Sequence, residues 1–186
     1  LIIGDMPFLS YRKSLTANMN AVENLMKSGA HALKLEGARG HVKLIHHIVQ
    51  SGVPVMGHLG LTPQSIHSLG GFKVQGRDEK THQAILDDAL ALQEAGCFSL
   101  VLECVPSALA QQVSERLDIP VIGIGAGAEV DGQVLVLQDM LGMNEGFKPT
   151  FLRQYLDGSQ LIKNAINSYH RDVVSKDFPN KKESYS

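Results

Sequence analysis

Residues 28–36, SGAHALKLE, and residues 95–103, AGCFSLVLE, decide the fold of this chain. Each stretch follows a helical pattern and contains a glycine, a small residue, a short apolar run and a final glutamate. A glycine in this place is typical of the end of a helix, and the apolar run is typical of a buried strand. The repeat therefore predicts helix–strand units in a parallel α/β fold, with carboxylates at the strand ends.

Six short apolar runs extend this pattern along the chain. They are nearly continuous in apolar residues, as expected for strands that are covered on both faces. We predict strands at Leu1–Asp5, Ala32–Glu36, Val53–His58, Leu100–Cys104, Val121–Gly125 and Val134–Asp139. Helical periodicity predicts helices at Thr16–Ser28, Val42–Gln50, Thr81–Ala95 and Ala108–Leu117. This order favours an α/β fold of the (β/α)₈ TIM barrel type, with a doubly wound open sheet as the alternative.

The number of predicted strands is too small for a complete barrel. A barrel has eight strands and about 250 residues, whereas this sequence has 186 residues and only six predicted strands. We expect the first two βα units to be missing from this sequence, because an open barrel would leave two unpaired strand edges. The predicted organisation is a partial catalytic barrel at 1–169 and a polar C-terminal extension at 170–186.

Composition and charge argue against several classes of protein. The 17 Lys and Arg residues against 19 Asp and Glu leave a formal net charge of −2, which does not suggest nucleic-acid binding. No apolar stretch approaches the ~20 residues of a membrane span, and we expect no signal peptide. Cys97 and Cys104 match no zinc or redox motif. We therefore expect a cytoplasmic protein in a reducing compartment.

Chemically active side chains stand at the carboxyl ends of four predicted strands. Asp5, Glu36 and Glu103 end the first, second and fourth strands, and His58 ends the third. In a barrel these ends meet at the face that carries the active site. For any single residue, a solvated or helix-capping role is an equal alternative. Together they predict one rim of acidic and basic groups.

The second strand predicts which side chains face the mouth of the barrel. Because side chains alternate along a strand, Leu33 and Leu35 share one face, and Lys34 and Glu36 share the other. If the leucines pack on the helices, the lysine and the glutamate point into the mouth. Three carboxylates, a lysine and an imidazole on one rim predict a divalent-metal and acid/base site.

Two further segments carry weaker signals. Residues 122–128, IGIGAGA, fit a dinucleotide-binding pattern, but no long apolar helix follows them. We therefore interpret this run as tight packing at the rim. The loop at 57–77 is long, which favours a functional lid. Its Lys73 and Arg77 are either solvated charges or ligand contacts.

Several motifs in the sequence match one known family. They are GDMPF at 4–8, LKLEG at 33–37, GHLGLTPQS at 57–65, GGFKVQGR at 70–77, VLECVP at 101–106 and IPVIGIGAG at 119–127. With these motifs, residues 1 to about 178 resemble ketopantoate hydroxymethyltransferase, an enzyme of pantothenate synthesis. The resemblance implies a (β/α)₈ barrel and a homodecamer. It also implies an N-terminal part with a Gly-Asp-Ser motif, which this sequence lacks.

The resemblance implies a role for each residue at the rim. Asp5 and Glu36 would belong to the Mg²⁺ site, Asp5 and Lys34 would bind substrate, and Glu103 would accept a proton. His58 would be a polar neighbour in contact with substrate. The implied reaction transfers a hydroxymethyl group from 5,10-methylenetetrahydrofolate to 3-methyl-2-oxobutanoate through a magnesium-stabilised enolate, and yields 2-dehydropantoate. Both substrates are small molecules, and no nucleic acid or membrane partner is expected.

Two other hypotheses about the function remain open. Lys34 could be the Schiff-base nucleophile of an aldolase. Alternatively, the chain could be a truncated, non-catalytic fragment that acts only in assembly.

If Glu103 is the base, its apolar neighbours should raise the pKa of its carboxyl. We expect no cation beside it, because Val101 stands where Lys34 precedes Glu36.

Overall fold

The computed structural model describes residues 1–146 and 148–185. Its strands are β1 (Ile3–Asp5), β2 (Ala32–Glu36), β3 (Val55–Gly60), β4 (Ser99–Glu103), β5 (Val121–Ile124) and β6 (Gly132–Gln133). Its helices are α1 (Leu15–Lys27), α2 (Val42–Gln50), α3 (Glu79–Glu94), α4 (Ser107–Arg116), α5 (Leu137–Met140) and α6 (Gly158–Val174). A short 3₁₀ helix, Pro63–Ser65, follows β3.

The six strands form one parallel sheet in strictly sequential order, from β1 to β6. Helices α1 to α4 follow β1 to β4 in turn. A doubly wound sheet reverses its strand order at a switch point, whereas a barrel adds each strand beside the last. The predicted α/β class is confirmed, and the curled sheet is consistent with part of a TIM barrel.

Helix boundaries follow from capping residues in the sequence. The Ser14 hydroxyl accepts a hydrogen bond from the N–H of Ala17 at the start of α1. The Asp78 carboxylate accepts one from Thr81 at the start of α3. Such caps satisfy N–H groups that have no partner within the helix. At the other end, Gly29 adopts a φ of +105°, which glycine tolerates without strain.

The core lies between the helices and one face of the sheet. Leu33 and Leu35 of β2 are fully buried in it, and so are Leu100 and Leu102 of β4. Burying one such side chain stabilises the fold by about 1.5–3 kcal/mol. The leucines therefore face the helices as predicted, and this orientation turns the intervening polar side chains to the opposite face of the sheet.

The prediction for the sixth strand is wrong in its position. The strand is Gly132–Gln133, and residues 137–139 of the predicted run belong to the short helix α5. Val134 still donates to the carbonyl of Gly123, so the pairing extends only slightly beyond β6. Val136 and Leu137 are at least half exposed. An apolar run without a cover on both faces cannot act as an inner strand.

The chain divides into two compact units, Leu1–Val134 and Leu135–Ser186. The second unit contains α5 and α6, and Asp157 caps α6 through the N–H of Gln160. The predicted boundary between residues 169 and 170 lies inside α6. Among the described residues, no helix is both long and apolar enough to cross a membrane.

Candidate active site

The carboxyl ends of β1 to β4 carry the five predicted site residues. Asp5, Glu36 and Glu103 are the last residues of β1, β2 and β4. His58 lies two residues before the end of β3, which continues to Gly60, so it does not end the strand as predicted. The register of the sheet places Asp5 of β1 opposite Lys34 of β2, and Glu36 of β2 opposite His58 of β3.

A continuous series of contacts joins these five side chains. The Nζ atom of Lys34 lies 2.5 Å from Oδ1 of Asp5 and 3.2 Å from Nδ1 of His58. Nδ1 of His58 is also 3.9 Å from Oε1 of Glu36, and its Nε2 is 3.2 Å from Oε2 of Glu103. The structure thus brings all five together, with Lys34 and His58 between three carboxylates.

The contact with Lys34 determines where His58 carries its proton. An ammonium group can only donate, so Nδ1 accepts from Lys34 and the ring proton lies on Nε2. Nε2 is close to Glu103 but outside hydrogen-bonding angles, and this buried atom has no hydrogen-bond partner in the part of the chain described. A buried donor without a partner is costly, so Nε2–H is available to a bound molecule beside Glu103.

Glu36 is the most buried of the three carboxylates, since its side chain is only 6% exposed. Burial raises the pKa of its carboxyl, and the negative charge of Asp5 acts in the same direction. A hydrogen bond from the main-chain N–H of Gln64 and the positive charge of Lys34 lower the pKa and partly oppose this effect. Glu36 is therefore held at a defined place by a desolvated, hydrogen-bonded environment.

Val101 stands two residues before Glu103 on its own strand, but a basic side chain lies beside Glu103 on the neighbouring strand. His58 on the neighbouring strand lies 3.2 Å from the Glu103 carboxylate, whose side chain is 17% exposed. Across a parallel sheet, the neighbouring strand supplies equally close side chains, since register pairs His58 with Val101.

A glycine allows the loop after β3 to pass close to Glu103. Gly60 adopts a φ of +88°, and a Cβ atom there would lie 2.2 Å from the carbonyl oxygen of Glu103. The next residue, Leu61, donates to the same carbonyl at 2.8 Å. Any side chain at position 60 would push this loop away from the end of β4.

Sequence reasoning missed two residues of the site, Gln64 and Tyr11. Gln64 donates its main-chain N–H to Glu36 at 2.9 Å, and its side-chain amide donates to the carbonyl of Met6 at 2.9 Å. Its side-chain oxygen accepts a hydrogen bond from the buried Tyr11 hydroxyl at 2.9 Å. The only signal in the sequence was the long loop that contains Gln64. A lid function for that loop remains a prediction.

The sequence of this chain is similar to those of known proteins. Residues 1–181 match the family model for ketopantoate hydroxymethyltransferase. The chain belongs to this family. It is 67% identical to 3-methyl-2-oxobutanoate hydroxymethyltransferase of Bdellovibrio bacteriovorus over 185 residues, which cover 100% of this chain and 70% of that protein. The protein of the same name from Francisella tularensis subsp. novicida is 55% identical, over 99% of this chain and 69% of its own length.

Ketopantoate hydroxymethyltransferases are enzymes, and the predicted family and enzyme type are thereby confirmed. One solved structure, of a protein from Burkholderia cenocepacia, superposes with a TM-score of 0.52 at 16% identity. It covers 70% of this chain and 60% of that one. At this identity the likeness concerns the fold alone. The individual roles of the five rim residues remain predictions.

The donors present in this ketopantoate hydroxymethyltransferase family member fit a magnesium ion. Residues 1–146 and 148–185 contain no group of three or more His, Cys, Asp or Glu arranged around a metal position. Mg²⁺ is usually bound through one or two carboxylates, with waters and substrate oxygens completing the shell. Asp5 and Glu36 end neighbouring strands of the sheet, and the Asp5 side chain is 61% exposed. These two carboxylates match that requirement.

Proposed function

We propose that this protein transfers a hydroxymethyl group from 5,10-methylenetetrahydrofolate to 3-methyl-2-oxobutanoate, yielding 2-dehydropantoate. The observation that carries the proposal is the series of contacts that joins Asp5, Lys34, Glu36, His58 and Glu103 at the strand ends. It supports the proposal because three carboxylates and a lysine lie close enough together to contact one small keto acid.

Glu103 is the proposed base. Its carboxylate takes the proton from C3 of the keto acid, and the electron pair moves towards the C2 oxygen to form the enolate. The carboxylate is partly exposed at the end of β4, so substrate can reach it. His58 fills the space beside it and presents an Nε2–H group that has no hydrogen-bond partner among residues 1–146 and 148–185.

Lys34 is the proposed charge partner of the substrate. Its ammonium group lies between Asp5 and His58 and offsets negative charge on the substrate carboxylate and the enolate oxygen. An amine that is paired with a carboxylate at 2.5 Å is poorly placed to attack a carbonyl. This pairing favours the charge role over a Schiff-base mechanism.

Asp5 and Glu36 would hold the magnesium ion. When bound, the metal supplies Lewis-acid stabilisation of negative charge on the oxygens of the keto acid. Glu36 is fixed by Gln64, and the more exposed Asp5 lies on the open side of the site. After proton removal, C3 attacks the methylene carbon of the folate. This attack breaks one of the two C–N bonds of the methylene carbon, and displacement by water breaks the other and supplies the hydroxyl group. The two nitrogens take up the proton removed from C3 and the second proton of the water, and tetrahydrofolate leaves.

Exchange of the C3 proton with solvent tests this proposal without folate. In the full-length enzyme with Mg²⁺, C3 of 3-methyl-2-oxobutanoate should exchange with D₂O, as measured by NMR. Glu103→Gln is nearly isosteric but cannot accept the proton, so exchange should fall by about 10²–10⁴-fold. Glu115→Gln, an exposed glutamate of α4, is the matched control. Wild-type exchange in Glu103→Gln would refute Glu103 as the base and make His58 the next candidate.

A further inference from the structure

A cavity of about 630 Å³ lies outside the group of five rim residues. Its lining includes three buried polar side chains, Tyr11, Asn18 and His41. It also includes three exposed cations, Arg12, Lys13 and Lys43. We call this space the basic cavity. Its volume lies within the range of about 300–1,000 Å³ that is typical of small-molecule sites.

The charged side chains that line the basic cavity are positive. Arg12, Lys13 and Lys43 line it, and none of the Asp or Glu residues in the described part of the chain does. Within the described residues, none of these three cations has a carboxylate within 4 Å. Because the chain as a whole carries a net charge of −2, this local excess of positive charge is not a general property of the surface. It creates an attractive potential for anions.

The wall of the cavity contains a buried acceptor without a partner among the described residues: Nε2 of His41 donates to the carbonyl of Gly37, so Nδ1 carries the lone pair of the neutral ring. His41 is 4% exposed, and its Nδ1 atom makes no hydrogen bond within the described residues, although Nε2 contacts the carbonyl of Gly37 at 2.9 Å. Helix α2 begins beside it, and no side chain caps its first N–H groups. Burial and the charge of Arg12 lower the pKa of His41. The permanent positive charge therefore comes from Arg12, Lys13 and Lys43, with the helix terminus adding to it.

Tyr11 connects the basic cavity to the active site. Its ring lines the cavity, and its hydroxyl donates to Gln64, which in turn donates to Glu36. The cavity is therefore separated from a rim carboxylate by only two residues. A ligand that reaches both places must be longer than the keto acid and must carry negative charge at the end far from the reaction.

We propose that the basic cavity binds the carboxylates of the glutamyl tail of the folate co-substrate. This rests on the proposed function. Of the two proposed substrates, the folate is the long one, with its reactive methylene at one end and at least two carboxylates at the other. Each added γ-linked glutamate contributes one more carboxylate. The keto acid has a single carboxylate, which Lys34 is placed to meet.

Binding of tetrahydropteroyl mono- and triglutamate to the full-length protein tests the proposal. Titration calorimetry should show tighter binding of the triglutamate to the wild type. Arg12→Ala and Lys43→Ala should each weaken triglutamate binding by about fivefold and monoglutamate binding by less. Lys43→Arg keeps the charge and should keep the preference. Lys80→Ala is the matched control, because Lys80 is the exposed second residue of α3 as Lys43 is of α2.

Three results would overturn the proposal. One is equal affinity of the wild type for both folates, and another is an unchanged preference in Arg12→Ala and Lys43→Ala. The third is that Arg12→Ala weakens the binding of inorganic phosphate but leaves folate binding unchanged. That result would make the cavity a phosphate site. Folate-free exchange at C3 should be normal in both variants. Absence of that exchange in the wild type would count against the proposed function, whereas the titration reports on the cavity alone.

Discussion

The main-chain N–H of Gln64 donates to Oε2 of Glu36 at 2.9 Å, across 28 positions of the sequence. The side chain of Gln64 secures this arrangement, because it bonds to both the Tyr11 hydroxyl and the carbonyl of Met6. Gln64 thus joins the loops after β1 and β3 to the end of β2. Partners that orient a metal-binding carboxylate commonly affect metal affinity as strongly as some ligands do.

Replacing the Gln64 side chain should therefore weaken magnesium binding. Gln64→Ala keeps the main-chain N–H but removes both side-chain bonds, and Mg²⁺ affinity should fall about 10-fold or more. Competition with Mn²⁺, followed by electron paramagnetic resonance, measures this without turnover. Gln83→Ala, at an exposed glutamine of α3, is the control. Wild-type affinity in Gln64→Ala would mean that Glu36 stays in place without the Gln64 side chain.

Removing the Asp5 carboxylate should affect metal and substrate together. Asp5→Ala deletes one of the two proposed metal-binding groups and the partner of Lys34. The Mg²⁺ concentration for half-maximal activity should rise by about 10-fold or more, and KM for the keto acid should rise as well. Asp87→Ala, in α3, is the exposed control. An unchanged dependence of activity on Mg²⁺ would contradict the assignment.

Removing the charge of Lys34 should act mainly on the keto acid. Lys34→Ala should raise KM for 3-methyl-2-oxobutanoate by about 10-fold or more, the loss expected for a hydrogen bond to a charged group. Folate binding should change little. Equal effects on both substrates would indicate a structural ion pair. Borohydride should trap no substrate adduct on the wild type, and a trapped adduct on Lys34 would support the aldolase mechanism instead.

The two thiols should react slowly while the protein is folded. Burial raises the pKa of Cys97 to about 12, so at pH 8 only about one thiol in 10⁴ is ionised. Burial, aided by the charge of Glu103, also raises the pKa of Cys104. Because only the thiolate reacts, iodoacetamide should label the folded protein far more slowly than the protein in urea. Rapid labelling of folded Cys97, read by peptide mass spectrometry, would show that its burial is transient.

Local patterns were sufficient for much of the fold and for the candidate site residues. The alternation of Leu33, Lys34, Leu35 and Glu36 predicts two faces, because the geometry of a strand leaves no other arrangement for consecutive side chains. The glycine that follows α1 predicts where that helix ends. All parallel strands point the same way, so residues at their carboxyl ends meet at one edge of the sheet. The five rim residues could therefore be predicted as candidate site residues from the sequence alone.

Contacts between segments distant in sequence needed the tertiary structure. No periodic pattern in the sequence predicts the hydrogen bond from Gln64 to Glu36 or the contact between His58 and Glu103. Each depends on how a loop or a neighbouring strand is placed. The run from Val134 to Asp139 reads as a strand by composition, yet much of it is exposed and ends in helix α5. The sequence by itself determined which way each side chain faces along its own element, because backbone geometry is local. Only the tertiary structure decided which side chains touch, because strand register and the paths of the loops result from packing of the whole unit.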